Sequence, residues 1–366
     1  MDRQQIVEVG QGPAPTDAED LGDVALLPGL VNAHTHLEFS DCDAPIGEPG
    51  VALYHWVGQV IAARQSTTSE AKATAIAKGL QESFDAGVSL VGEIATLPSE
   101  YPSRSNFPQR SQSPELITFA ETIGLSQQRG DERFGLTEQH VHTQASGGIS
   151  PHAPYSTSRP LIERCVQLAC QTERPLAMHV AESPAERELL CGGSGPFAET
   201  LKQLGVWDAS LFPWDGQPFE WLIDLLAKAP HGLLVHGNDL QTSEIEKIAN
   251  HPSLSVVYCP RTHHFFGYEP HPVHEMLDRG IRVALGTDSR ASNPDLNLWR
   301  EIQFPDIDPQ TVLGMGTIQG ADAMGRFQHG RLQRGAFAQF NLVPTSANTL
   351  QEVYRDFAEQ PLKRGV

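Results

Sequence analysis

A closed parallel β-barrel ringed by helices is the fold this sequence predicts, and two observations predict it. Short apolar runs recur eight times along the 366 residues, separated by stretches whose apolar residues fall at helical spacing. Eight such repeats suit a closed barrel better than an open doubly wound sheet. No glycine-rich dinucleotide or phosphate-loop fingerprint interrupts the pattern. In barrels of this kind reactive groups sit at the C-terminal strand ends, so function is read there.

The runs are residues 30–36, 88–94, 116–121, 147–152, 176–180, 233–236, 254–259 and 281–287. Helical patterning covers 70–86, 159–171, 219–227, 243–249 and 272–278 among the intervening stretches. The flanks differ. Residues 1–28 and 331–347 read as short strands with turn residues, so 1–28 and 331–366 are expected to form a small β-domain beside a barrel of residues 29–330. Residues 191–218, between the fifth and sixth runs, are rich in Gly, Pro and Trp and longer than a connecting helix requires. They are expected to form a substrate lid.

Composition narrows the functional classes. With 26 Lys and Arg against 45 Asp and Glu, the net charge is −19, which opposes nucleic-acid phosphates and anionic membranes. No long apolar run and no N-terminal signal segment appears, so a soluble, cytoplasmic protein is expected. Five cysteines, odd in number and without CxxC spacing, argue against a disulfide framework or a thiolate zinc site. Cys42, Cys165, Cys170, Cys191 and Cys259 are expected to be buried thiols.

The most informative local feature is His34-Thr35-His36 at the end of the first run. Side chains on a strand alternate faces, so both imidazoles point the same way and can clasp one metal ion. The later strand ends carry Glu93, Glu121, His152, His179 followed by Glu182, His236, Cys259-Pro260 and Thr287-Asp288-Ser289. His34, His36, His179 and Asp288 together supply three nitrogens and one oxygen. That set suits one divalent ion with a position left for water, zinc above all, although the ligand types also admit iron or manganese. Asp288 can touch the ion and accept the water's proton, while His236 hydrogen-bonds that water. Glu182 is placed to protonate a ring nitrogen under attack. His55, His140, His142, His231, His251, His271, His274 and His329 fall in helices or loops and are assigned no role.

These residues carry a resemblance. The segment Leu27-Pro28-Gly29-Leu30-Val31-Asn32-Ala33-His34-Thr35-His36-Leu37-Glu38, with His179-Val180-Ala181-Glu182, His236 and Gly286-Thr287-Asp288-Ser289, resembles the amidohydrolase superfamily. It is most similar to the branch of cytosine, guanine and S-adenosylhomocysteine deaminases and triazine chlorohydrolases. The resemblance implies a distorted (β/α)8 barrel with a small β-sandwich-like domain from the two chain ends. It implies hydrolysis at a carbon bearing nitrogen or halide, the metal ligands and proton-transfer residues already named, and a homodimer. Two-metal members bridge their ions with a lysine of strand four. This chain has no lysine between Lys78 and Lys202, so a mononuclear site is expected, with Glu93 tethering a loop or backing the site.

Ser150-Pro151-His152-Ala153-Pro154-Tyr155 and His36-Leu37-Glu38-Phe39-Ser40 are similar to segments of adenosine-moiety and aminofutalosine deaminases, which implies that His152 binds substrate. Trp56, His264 and Phe212-Pro213-Trp214 are expected to enclose it as well. One departure stands out: the stretch Trp56-Val57-Gly58-Gln59-Val60-Ile61-Ala62-Ala63-Arg64 lacks the acidic residue by which such nucleoside deaminases hold ribose hydroxyls. Arg64 is left between a surface role and a substrate carboxylate. In Cys259-Pro260-Arg261-Thr262-His263-His264, either Arg261 or His264 reads the distal part of the substrate or both hold loops together. The family's small domain begins some strands earlier, so here it is either incomplete or the start site is misassigned. The resulting expectation is a metal-dependent hydrolase of carbon–nitrogen bonds other than peptide bonds, deaminating an aminopurine- or nucleoside-like small molecule. A chlorohydrolase or cyclic amide hydrolase is the alternative, and a non-catalytic scaffold a distant one.

Overall fold

Strands buried on both faces need helices outside and a filled interior inside, and the arrangement follows from that need. The structure is a computed structural model that describes residues 5–13, 15–101, 113–347, 349–357 and 363–364. In chain order its strands are β1 (Val24–Pro28), β2 (Leu30–Thr35), β3 (Val88–Ala95), β4 (Glu115–Thr122), β5 (Gly147–Pro151) and β6 (Leu176–Val180). Then come β7 (Gly232–His236), β8 (Leu254–Tyr258), β9 (Val283–Leu285), β10 (Phe340–Pro344) and β11 (Lys363–Arg364). Strands β2 to β9 form one eight-stranded parallel sheet in sequence order.

Alternation sorts the side chains of this sheet. Leu233 and Val235 of β7, Ala177 of β6, Val257 of β8 and Ala284 of β9 join one apolar cluster. Their neighbours Leu234, Leu176, Met178, Val256, Val283 and Leu285 join another, which includes helix residues such as Leu161, Ile162 and Val166. The first cluster is therefore the barrel interior and the second the layer beneath the helices. His179 shares the parity of Ala177 and rises from the interior face.

The sheet closes where β2 meets the end of β9. Thr287 and Asp288 both donate their N–H to His34 O at 3.1 Å, and Thr35 bridges Asp288. Closure is uneven, as the resemblance implied: the β2–β3 register shifts twice, and β5 and β6 share one Cα pair, Ile149 with Leu176. The two chain ends meet as expected. β1 pairs antiparallel with β10 and β10 with β11, giving a three-stranded sheet that is one layer thick among the described residues. It sits against the barrel through Gly29 N–H to Gln339 O and Asn341 Nδ2 to Gly87 O.

The long connection after β6 holds the helices Pro184–Gly192, Pro196–Gln203 and Pro218–Leu226. Proline in the first turn suits each start, since the missing N–H would have no helical partner there. No described helix is long and apolar enough to cross a membrane.

Candidate active site

Four imidazoles and one carboxylate converge at the C-terminal mouth of the barrel. His34 Nε2 lies 3.6 Å and His36 Nε2 3.8 Å from Asp288 Oδ1. The His179 ring is 5.0 Å from His34 and 5.5 Å from His36, centre to centre, and the His236 ring stacks 5.4 Å from His179. His34, His36 and Asp288 each offer a ligand atom within 4.8 Å of the other two, as do His34, His179 and His236. His34 belongs to both triads.

Backbone geometry pays for this convergence. Ala181, His236 and Asp288, each at the end of a site strand, adopt left-handed φ values of 54°, 73° and 53°. Such conformations cost about 1–3 kcal/mol at a non-glycine residue and persist where the surroundings over-determine them. At His236 the turn matters most: its number parity with Leu234 would aim it at the helices, and the left-handed residue brings it beside His179 instead.

Burial keeps these rings neutral. His34 is pushed well below its ordinary range by burial and then by His179 and His152, and His36 by burial and His34. Burial also lowers His179 and His236. Neutral imidazoles keep a lone pair free for a cation. Both ring nitrogens of His34 are buried with no hydrogen-bond partner among the described residues, a cost of about 1–3 kcal/mol for each group left unpaired. A divalent ion satisfies such a nitrogen, so the donor set fits a metal. His179 Nδ1 is 2.8 Å from the His152 carbonyl oxygen, to which it can donate and so leave Nε2 as the ligand atom. Ser292 donates to Asp288 Oδ2 at 2.8 Å, leaving Oδ1 toward the imidazoles, and Thr35 donates to the Asp288 carbonyl.

Glu182 stands beside this cluster. Its Oε1 is 3.5 Å from His236 Nε2, and the Tyr155 hydroxyl donates to its Oε2 at 3.4 Å. Burial, then the charges of Asp288 and Glu186, raise its pKa well above the ordinary carboxylate range, which favours its acid form. Its loop is pinned by buried Glu186, whose carboxylate accepts the Ala181 N–H at 3.0 Å and the Glu182 N–H at 2.9 Å. Asn238 Nδ2 donates to the Glu182 carbonyl at 3.0 Å.

The cluster floors a cavity of about 1000 Å³. Trp56, His152, Glu121, Thr96 and Glu38 line its walls, and Phe197, Leu201, Leu204, Trp207 and Leu211 line its outer part. A small polar floor under a large apolar mouth is the form of a small-molecule site.

A sequence model of the Amidohydrolase family matches residues 25–364. The chain belongs to the amidohydrolase family. This amidohydrolase is 25% identical over 374 residues to 5-methylthioadenosine/S-adenosylhomocysteine deaminase of Nitratidesulfovibrio vulgaris, covering 93% of this chain and 76% of the relative. Its fold is similar to the crystal structure of Helicobacter pylori aminofutalosine deaminase in complex with methylthio-coformycin. The TM-score there is 0.79 at 20% identity, covering 94% of this chain and 87% of that one. An adenosine deaminase from Xanthomonas campestris with bound zinc matches with a TM-score of 0.70 at 23% identity, over 91% and 76% of the two chains. As a family member the protein is a hydrolase, and its histidine–aspartate cluster suits a divalent metal.

Several sequence expectations for the amidohydrolase need correcting. His264 does not reach the cavity: its side chain is exposed and packs on Phe304. Helix Pro260–Phe266 turns it outward, one position past His263, which is buried against Tyr258, Tyr268 and His271. Arg261 also faces inward, paired with Asp295 and Glu301, so the strand-seven motif holds loops together. Phe212 and Trp214 pack into the core, and the lid residues that line the cavity lie earlier, from Phe197 to Leu211. Cys165 and Cys259 are buried, but Cys170 and Cys191 are exposed and Cys42 is intermediate. Glu93 accepts the Leu37 N–H at 2.8 Å and the Tyr101 hydroxyl at 3.2 Å, which fits a loop tether. Arg64 lines the cavity while pairing with Asp41 at 2.8 Å. His271, assigned nothing from sequence, has Nε2 2.9 Å from the His236 carbonyl and so supports that strained residue. Glu186 was missed too; the signal was its place four residues after Glu182, on the first turn of a helix.

Proposed function

We propose that this amidohydrolase hydrolytically deaminates an aminopurine- or nucleoside-like small molecule, at one divalent ion held by His34, His36, His179 and Asp288, with zinc the ion of choice. One observation carries the reading: a buried carboxyl group, Glu182, with its pKa raised by burial, shares the cavity floor with the imidazole–aspartate cluster. A hydrolase acting on an amide or ester can rely on a charged ion to polarise the carbonyl. An aminated aromatic ring has no such carbonyl, and a separate acid must protonate the ring nitrogen to make the neighbouring carbon electrophilic. The relatives support it, since each is named a deaminase, and the zinc in the Xanthomonas structure supports that choice of ion.

When bound, the ion supplies positive charge that lowers the pKa of water toward neutrality. Asp288 takes a proton from the attacking water through Oδ1, since Ser292 occupies Oδ2. Glu182 gives its proton to the ring nitrogen as the C–O bond forms. His236, 3.5 Å from Glu182, hydrogen-bonds the developing hydroxyl. The Asp288 proton then passes to the leaving amine, ammonia departs as the C–N bond breaks, and the adduct's hydroxyl proton returns to Glu182. His152 and Trp56 bind the heterocycle from the walls.

The test is ammonia release from aminopurines, nucleosides and aminotriazines by the zinc-loaded protein, with Glu182→Gln as the blank. Ammonia in the wild type alone is the expected result. Chloride from a chlorotriazine, or a ring-opened acid in place of ammonia, would show the chlorohydrolase or cyclic-amide alternative to be right.

A further inference from the structure

Val180, Ala181 and Glu182 present three consecutive carbonyls where β6 ends, and three consecutive residues after β7 donate to them. Gly237 N–H reaches the Val180 oxygen at 3.1 Å, Asp239 N–H the Ala181 oxygen at 2.8 Å, and Asn238 Nδ2 the Glu182 oxygen at 3.0 Å. His236 and Gly237, left-handed at φ 73° and 66°, make the turn that brings Asn238 there. The first two bonds are made by backbone and survive any substitution except proline. The third rests on a side chain, so the hold on Glu182 itself depends on which residue follows Gly237.

The chemistry of the partners fixes the direction of that amide. A carbonyl oxygen only accepts, so the amide nitrogen of Asn238 faces Glu182 and its oxygen faces away. That oxygen lies 3.1 Å from His263 Nδ1. An amide oxygen also only accepts, so His263 carries its ring proton on Nδ1. A reversed amide would set oxygen against the Glu182 oxygen and NH2 against the Nδ1 proton. His263 is 8% exposed, sits on the helix Pro260–Phe266 after β8, and is packed by Tyr258, Tyr268 and His271. Neither Asn238 nor His263 lines the cavity, so their effect on a substrate runs through Glu182. Further along the same segment, His271 Nε2 is 2.9 Å from the His236 carbonyl. Residues 263–271 thus reach the backbone at both proton-transfer residues.

We propose that Asn238 and His263 are positioning residues for the reaction: His263 orients the Asn238 amide, and Asn238 fixes the Glu182 carbonyl so that the acid faces the substrate. Resting on the reading of Glu182 as proton donor, this deepens it, because the turns after β6, β7 and β8 then act together on one acid. The backbone of Glu182 is held from both sides, its N–H by Glu186 and its carbonyl by Asn238.

Asn238→Leu removes the donor, and His263→Phe removes the proton that orients it while keeping a ring. With adenosine and the zinc-loaded protein, each is expected to lower kcat about 10- to 100-fold, with KM and zinc content unchanged. The double variant should fall no further than Asn238→Leu alone, because His263 acts through Asn238. His263→Asn, whose amide nitrogen takes the place of Nδ1, should recover most of the kcat lost in His263→Phe. A merely structural bond would lower the melting temperature and leave kcat unchanged well below it. Unchanged kcat in Asn238→Leu, additive losses in the double variant, or no recovery in His263→Asn would each overturn the proposal. The ¹⁵N spectrum of the histidine rings in the wild type tests the orientation without turnover, and decides if a variant does not fold. An Nδ1–H tautomer at His263 supports the relay, and an Nε2–H tautomer, donating to the nearby Glu269 carbonyl instead, would overturn it. Should the wild type release chloride from a chlorotriazine and ammonia from no probe, the deaminase reading fails. The same variants are then compared on chloride release, where a lowered kcat supports the positioning and an unchanged one overturns it.

Discussion

The Glu186 carboxylate grips the backbone N–H of Glu182 at 2.9 Å and that of Ala181 at 3.0 Å, with Ala181 held in the left-handed region. Three residues after His179, the chain must reverse sharply so that Glu182 faces the same cavity as the imidazole. Two consecutive amides turned toward one buried carboxylate fix that reversal. Replacing Glu186 by Leu leaves both amides unpaired, at about 1–3 kcal/mol each, and loosens the acid. The expected outcome is a lower unfolding midpoint in urea and a kcat reduced by about 10- to 100-fold, with the metal content unchanged. Glu186→Gln keeps one acceptor and should recover part of kcat.

Glu182 itself gives the sharper kinetic test. Glu182→Gln preserves shape and removes the transferable proton, so kcat should fall by about 10²- to 10⁴-fold while stoichiometric metal is retained. The pH dependence has a definite sign. Burial and the Asp288 and Glu186 charges raise the Glu182 pKa, so the acid form persists to higher pH than in an ordinary carboxyl and is lost as pH rises through that raised value. The kcat profile should decline on the alkaline side in the wild type, and that limb should vanish in Glu182→Gln. Near-wild-type turnover in the variant would remove Glu182 from the reaction.

How much of this was legible in the sequence follows from what kind of signal each residue leaves. The barrel was readable because a strand buried on both faces writes a short apolar run, and the run 176–180 coincides with β6. His34, His36, His179 and Asp288 could be picked out because each lies at or beside the end of such a run, and the structure places His34 with His36 and Asp288 on one side and with His179 and His236 on the other. Misplacements arose where a helix or a loop, not a strand, sets direction. His264 follows β8 on a helical turn, and one residue there rotates a side chain by about 100°, enough to exchange cavity for solvent. Phe212 and Trp214 read as lid aromatics, yet tertiary packing drew them into the core. Glu121 was visible as a strand end, but its pairing with Thr96 and Glu38 joins residues 25 and 58 positions apart from Thr96, which no local pattern reveals.

Metal removal should act on stability as well as rate. A cation bound to the folded protein alone stabilises it by about 2.7 kcal/mol when its concentration is a hundredfold above Kd. Dialysis against a chelator is expected to abolish ammonia release and lower the melting temperature, and stoichiometric zinc should restore both. His34→Asn should reduce the zinc-dependent rise in melting temperature, because His34 belongs to both ligand triads. A melting temperature indifferent to chelator and zinc would exclude a metal in this cluster.

Arg261 tests the loop-holding reading of the strand-seven motif. Its Nε lies 3.2 Å from Glu301 Oε1 and its Nη1 2.9 Å from Asp295 Oδ1, while its backbone N–H donates to Glu301 Oε2 at 3.0 Å. Glu301 is fully buried and also accepts from Asn293, which donates in turn to the Thr287 carbonyl beside Asp288. Arg261→Met leaves that carboxylate buried without its cation, which costs about 3–5 kcal/mol. Glu301 sits at about 7, raised by burial and drawn down by Arg261. In the wild type the folded Glu301 keeps a proton that the unfolded chain gives up, so its contribution is full in acid and fades as pH rises through about 7. Without Arg261 the folded value moves higher still, and stability goes on falling above that pH. Urea unfolding should therefore find a small deficit in Arg261→Met below about pH 6 and a larger one toward about pH 9. A deficit independent of pH would mean that Arg261 stabilises through packing alone.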